Sequence, residues 1–233
     1  MTDNSIPIVT APTAPSPDVA TENRERLRRA KVVGVNLIGG SGCGKTMLLD
    51  ATMDLLRPQV RVGVIACDLA THHDADIIRR HADQVVQVDT GEDRPIDARL
   101  VREALRRLDL ESLNLLFMEN VGTLVGPVDA DLGQDAVVLV FSVAQGQDQP
   151  DKHPHLVATA DAIVLNQIDL LPSVPFDLQA FRASVRGINP AVPLFEVCAL
   201  LGEKLEPWVQ WLRGRMSRNG YPVNYTNGSH WFG

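Results

Sequence analysis

Gly39-Gly40-Ser41-Gly42-Cys43-Gly44-Lys45-Thr46 has the G-x-x-x-x-G-K-[ST] spacing of a phosphate-binding loop. Each position has a mechanical reason. Glycines let the backbone curl until successive N–H groups converge on an anion, and they keep side chains clear of it. Lys45 brings a positive charge to the β- and γ-phosphates of a nucleotide, and the Thr46 hydroxyl is placed to ligate Mg²⁺. A helix starting at about Lys45 adds its positive N-terminal dipole. The flanks agree: Val32 to Ile38 reads as a buried strand and Thr46 to Leu56 as a helix. A Gly-rich turn that binds nothing has no need of that strand–loop–helix order.

Working outward, the chain alternates apolar strands with amphipathic helices. Val60 to Cys67, Val85 to Val88, Leu115 to Met118, Ala136 to Val143, Ile163 to Leu165 and Pro193 to Val197 read as strands. Asp74 to His81 reads as a helix, as do the periodic sets Leu100, Val101, Ala104, Leu105, Leu108 and Leu178, Phe181, Val185, Ile188. Leu201, Leu205, Trp208 and Leu212 predict the last helix. Strands that are apolar throughout belong to a mostly parallel sheet covered on both faces. A three-layer α/β fold of the P-loop NTPase type is therefore predicted, with its chemistry on the edge formed by the strand carboxyl ends. Residues 1–21, rich in Pro, Thr, Ser and Ala, read as disordered, and Glu22 to Ala30 as a short basic helix opening a domain that runs to 213. Residues 214–233, with exposed aromatics, read as a flexible tail.

The bulk properties narrow the function. The chain has 233 residues, 45% of them hydrophobic and 22% charged, which suits one sizeable α/β domain. A formal net charge of −7 argues against nonspecific nucleic-acid binding. There is no apolar run long enough to span a membrane and no signal-peptide layout, so a cytoplasmic location is expected. Three cysteines give no disulfide framework. Cys43, Cys67 and Cys198 fall near the predicted nucleotide edge, where small buried thiols read as core packing.

Polar residues at the strand ends supply the remaining candidates. Asp68 follows one strand and can reach a Mg²⁺ shell or orient water. Glu119 ends another, where a P-loop NTPase holds the water shell of Mg²⁺, and Gly122 three residues on can present its N–H to a γ-phosphate. Asn166-Gln167-Ile168-Asp169 follows a third strand. An Asp carboxylate accepts both N1–H and N2–H₂ of guanine, a donor pair that adenine lacks. The usual form of this element has Lys where Gln167 stands, so weaker binding is expected. Cys198-Ala199 follows the last strand, where a backbone N–H can complete the base pocket. The metal set is thus Thr46, Asp68 and Glu119, with GTP/GDP and Mg²⁺ as the expected ligands.

These elements, in this order, resemble one family over roughly residues 23–213: the nickel-incorporation GTPases of hydrogenase maturation (HypB). Asp68-Leu69-Ala70-Thr71 with Asp74-Ala75-Asp76 resembles its switch segment. Glu119-Asn120-Val121-Gly122-Thr123-Leu124-Val125, Asp131-Leu132-Gly133, Asn166 to Pro172 and Phe176-Asp177-Leu178 match further stretches. The resemblance implies a GTPase that dimerises with nucleotide and passes nickel toward an enzyme, its partners being a metallochaperone or the client metalloenzyme. It also implies a metal held at the dimer interface by a Cys-His pair and a second Cys. Here Arg94-Pro95 stand where the pair belongs and Gly126 where the second Cys belongs, and none of these ligates Ni²⁺ or Zn²⁺ through a side chain. His72-His73 point about 100° apart on a helix and, like His153 and His155, read as solvated residues rather than chelating pairs. A small-molecule kinase, which Arg94 and Arg99 keep open, and a non-catalytic GTPase-like scaffold are the rival readings.

Overall fold

The computed structural model describes residues 8–10, 17–67, 72–90, 94–120, 122–124, 130–218 and 220. In chain order the strands are β1 (Ile8–Thr10), β2 (Val33–Gly39), β3 (Val62–Cys67), β4 (Gln84–Asp89), β5 (Leu115–Glu119), β6 (Ala136–Ser142), β7 (Ala162–Asn166) and β8 (Leu194–Glu196). All pair in parallel, in the order β1-β4-β3-β5-β2-β6-β7-β8. The helices are α1 (Pro17–Ala30), α2 (Lys45–Leu56), α3 (His72–His81), α4 (Ala98–Leu105), α5 (Gln149–Lys152), α6 (Pro154–Thr159), α7 (Leu178–Ile188) and α8 (Glu206–Arg218). The predicted three-layer parallel architecture is what forms.

Side-chain alternation along each strand sorts the core onto the two faces of the sheet. Val35 and Leu37 of β2, Leu115 and Phe117 of β5, and Val138 and Val140 of β6 pack with Leu48 and Met53 of α2 and with Trp208 and Leu212 of α8. On the other face, Leu116 and Met118 of β5 join Leu27 of α1 and Leu100, Val101 and Ala104 of α4. Farther along that sheet, Leu139, Phe141, Ile163 and Leu165 pack on Phe181 and Val185 of α7. Every residue of β2, β3, β5 and β7 is buried, as a sheet covered twice requires. The edge away from the phosphate loop is closed by carboxylates: Asp83 accepts from Val62 N–H, Asp135 from Gly34 N–H and Asp161 from Val137 N–H, at 2.8–2.9 Å.

The helix that carries the phosphate loop is locked to the C-terminal helix by one buried polar contact. The Trp208 indole donates to the Thr52 hydroxyl at 2.9 Å, and that hydroxyl donates to the Leu48 carbonyl. Both side chains are essentially inaccessible to solvent. Thr52→Val keeps the shape but leaves a buried indole N–H unpaired. We expect it to cost about 2 kcal/mol in urea unfolding; an unchanged midpoint would show that the contact contributes nothing net.

Several boundaries differ from the sequence expectation. The segment read as disordered contains β1, laid parallel to β4, and α1 starts at Pro17 rather than Glu22. Proline suits the first helical turn, where its missing N–H has no intrahelical acceptor. The last helix begins at Glu206, and Leu201, expected within it, is a 59%-exposed turn residue. This helix runs on to Arg218, past the boundary placed at 213. The short helices α5 and α6, each with Pro in its first turn, are additions. Asp68, Gly126 and residues 221–233 lie outside the described residues. Among the described residues no helix is long and apolar enough to cross a membrane.

Candidate functional site

The phosphate loop joins β2 to α2 at the carboxyl edge of the sheet. It turns into the helix at Gly44, which N-caps α2 with φ 83°, a left-handed conformation that penalises any residue with a side chain. A Cβ there would also lie 2.5 Å from the Asn166 Nδ2. The sequence signal and the packing thus require glycine for two separate reasons. Lys45 is 8% exposed and donates from Nζ to the Gly39 carbonyl at 2.7 Å, arching over the loop it belongs to.

Strand β5 delivers the acidic partner. Thr46 donates from its hydroxyl to Glu119 Oε1 at 2.9 Å across the β2–β5 junction. A hydroxyl and a carboxylate, both hard oxygens, are the donor set that Mg²⁺ prefers. Gly122 sits against the loop: its carbonyl accepts from Ser41 N–H at 2.7 Å, and a Cβ at Gly122 would lie 3.1 Å from the Ser41 Cα. Any displacement of Gly122 is therefore felt by the loop. Asn120, between them and buried, accepts from Ile96 N–H through Oδ1.

Strand β7 builds the other end. Asn166 is 2% exposed; its Nδ2 donates to the carbonyls of Cys43 at 3.0 Å and Gly44 at 3.4 Å, and its Oδ1 accepts from Ala199 N–H at 3.0 Å. One side chain thus ties the loop, β7 and the turn after β8 together. Gln167, at φ 61°, donates from Nε2 to the Gly42 carbonyl at 3.3 Å. Its carboxamide therefore serves the loop, in the place where the usual form of this element carries a lysine. Asp169 is exposed and lies close enough to the Cys198 thiol to act on it electrostatically.

The cysteines are packed groups. Burial raises the Cys43 thiol above its ordinary range, outweighing the nearby Lys45 charge, so it stays protonated at neutral pH. Burial likewise raises Cys198, with Asp169 adding to the effect. Cys67 donates to the Thr90 hydroxyl across 3.7 Å. His153 is pushed down by burial and by His155 and Lys152. Among the described residues no three His, Cys, Asp or Glu side chains are grouped to hold a metal ion.

Of the residues singled out from sequence, the loop, Glu119, Gly122, Asn166, Gln167, Asp169 and Cys198-Ala199 converge on this edge. Asp68 is not among the described residues. One contact was not anticipated: Gln145, after β6, donates from Nε2 to the Ser41 carbonyl at 3.2 Å. Its only sequence signal is its place just beyond the end of the longest apolar strand.

Comparison with known proteins places this site. The family model for the CobW/HypB/UreG nucleotide-binding domain matches residues 34–196. The hydrogenase maturation factor HypB of Escherichia coli (strain K12) is 39% identical over 194 residues, 83% of this chain and 67% of that protein. Among solved structures, HypB of Archaeoglobus fulgidus superposes with a TM-score of 0.80 at 34% identity, over 85% of this chain and 97% of that one. HypB of Helicobacter pylori, solved in complex with nickel, gives 0.80 at 27% identity, over 87% and 95%. The glycine-bent loop, the acidic strand end facing its threonine and the asparagine clamp behind it thus belong to a shared nucleotide-binding domain, and the chain is a member of the HypB branch of the CobW/HypB/UreG family.

Proposed function

We propose that this protein is a Mg²⁺-dependent switch that binds and hydrolyses GTP and serves as an accessory factor in the maturation of a nickel enzyme of hydrogenase type. The observation that carries the reading is the Thr46–Glu119 contact at 2.9 Å on a loop that Gly122 touches directly. Thr46 and Glu119 would hold Mg²⁺, with Asp68 as a third candidate ligand. A bound ion there would supply positive charge against the negative charge developing on the β- and γ-phosphates. Lys45 leaves the Gly39 carbonyl to meet the phosphates, and Gly122 reports on the third of them. At the other end Asp169 accepts the guanine N1–H and N2–H₂, while the Cys198-Ala199 turn walls the pocket, its N–H groups being held by the Glu203 carbonyl and Asn166 Oδ1 rather than offered to the base.

The names of the relatives support the maturation role, and the nickel-bound neighbour supports a metal-linked one. Arg94-Pro95 and Gly126 argue that this chain works without the side-chain metal site that the resemblance implies. Its partners on this reading are a second copy of itself, formed with nucleotide, and a metallochaperone or the client enzyme, in the cytoplasm. No arginine finger is evident in the sequence, so turnover by the lone protein is slow.

Calorimetric titration with GTP, GDP and ATP, with and without Mg²⁺, tests the core of this reading. Guanine nucleotides bind, tighter with Mg²⁺, and ATP does not. In light scattering the mass doubles with a non-hydrolysable GTP analogue and stays monomeric with GDP; equal masses would remove the dimer switch. Phosphate release with no added metabolite separates hydrolysis from a kinase reaction. Tight Ni²⁺ binding would show that the chain holds a metal site elsewhere.

A further inference from the structure

We propose that Gln145 is a positioning residue of the phosphate loop, holding the Ser41–Gly42 peptide so that the Gly42 N–H faces the third-phosphate end of the bound nucleotide. The inference rests on the site being a nucleotide cradle. It assigns a role to a side chain that the proposed function does not use.

The argument begins with peptide geometry. In a planar trans peptide the C=O and the following N–H point in opposite directions. A donor that fixes a loop carbonyl outward therefore aims the next N–H inward. Three carboxamides do this in succession around the outside of the loop. Gln145 Nε2 takes the Ser41 carbonyl at 3.2 Å, Gln167 Nε2 takes the Gly42 carbonyl at 3.3 Å, and Asn166 Nδ2 takes those of Cys43 and Gly44. The N–H groups of Gly42, Gly44 and Lys45 are thereby turned toward the concave side, where an anion nest needs them, while the Cys43 N–H that follows the Gly42 carbonyl closes on the Gly40 carbonyl at 3.3 Å.

Gln145 is held in turn. Its Oε1 accepts from Ser142 N–H at 3.2 Å, which fixes which end of the carboxamide donates, and its carbonyl accepts from Gln149 Nε2 at 3.0 Å. A Cβ at Gly40 would lie 2.7 Å from its Nε2, so the second glycine of the loop leaves room for this amide. The Ser41 N–H is already tied to the Gly122 carbonyl at 2.7 Å. Ser41 is thus gripped from both sides, by the residue proposed to report on the third phosphate and by Gln145. A glutamate at this position has no hydrogen to give the Ser41 carbonyl and adds negative charge beside the phosphates.

Gln145→Met and Gln145→Glu test the assignment. The probes are a non-hydrolysable Mg-GTP analogue and Mg-GDP, titrated calorimetrically, with steady-state GTP hydrolysis and apo-protein melting alongside. Gln145→Met, nearly isosteric but without a donor, is expected to weaken the triphosphate by about tenfold and the diphosphate by less than about threefold. KM rises while kcat stays within about twofold, because the loop holds substrate and transition state alike. Gln145→Glu weakens the triphosphate further, by about 100-fold. Apo melting is unchanged in Gln145→Glu, which keeps an acceptor for the Ser142 N–H, and falls modestly in Gln145→Met, which removes it. Equal weakening of both nucleotides, no weakening of either, or a fall in apo melting of Gln145→Glu overturns the proposal. If the natural protein binds no guanosine phosphate, the nucleotide reading and this inference fall together. Natural-protein binding with indifferent variants sinks the inference alone.

Discussion

Replacing Asp169 by asparagine is expected to weaken GTP binding by about 10²–10³-fold and to raise affinity for xanthosine triphosphate. The exposed carboxylate at the mouth of the site offers two acceptors, which match the N1–H and N2–H₂ pair of guanine. Two hydrogen bonds to a charged group are together worth about 3–4 kcal/mol, and each 1.4 kcal/mol is a factor of ten. An asparagine turns one acceptor into a donor. Xanthine carries a carbonyl where guanine carries its amino group, so its edge suits the altered pair. Competition binding with GTP, ITP and XTP reads the outcome. A variant that keeps its full preference for GTP would remove Asp169 from the base site, and the search would move to the turn after β8.

Asn166→Ala is expected to do damage of a different kind, lowering stability by about 2–4 kcal/mol as well as nucleotide affinity by about 10²-fold. The native side chain satisfies the Cys43 carbonyl and the Ala199 N–H within the protein interior. Alanine leaves both without that partner, whereas the Gly44 carbonyl keeps its bond from Leu48 N–H. Asn166→Asp fares no better, because a carboxylate can accept from Ala199 but only repels the loop carbonyls. Urea unfolding and calorimetry together read the result. Near-natural stability would mean that water replaces the clamp and that the loop holds its own shape.

The sheet was legible because buried parallel strands leave a strong mark. Val32 to Ile38 and Ala136 to Val143 read as strands, and Val33–Gly39 and Ala136–Ser142 form them, since both faces are covered and little but apolar or small residues fits there. Ile8-Val9-Thr10 left no such mark. A three-residue stretch within a Pro-rich segment has neither the length nor the periodicity to outweigh that composition, and only pairing with β4 gives it form. Leu201 and Leu205 keep helical spacing with Trp208, yet Cys198 instead bridges to Glu203 in a tight turn and the helix waits until Glu206. The phosphate loop could be read residue by residue because its chemistry is local. Gln145 could not, because its partner at Ser41 is 104 positions away in the chain and a polar residue beyond a strand end has many possible uses.

Strand β2 lies at the middle of the sheet, and its two neighbours lead to different jobs. The flank containing β5 brings Glu119 and Gly122 to the loop, whereas the flank containing β7 and β8 brings Asn166, Asp169 and Ala199. On the proposed reading, timing and letter recognition enter from opposite sides and meet along the glycine bend. A protein laid out in this way can have its purine alphabet rewritten while its clock keeps running, which makes the chain a natural host for an orthogonal nucleotide.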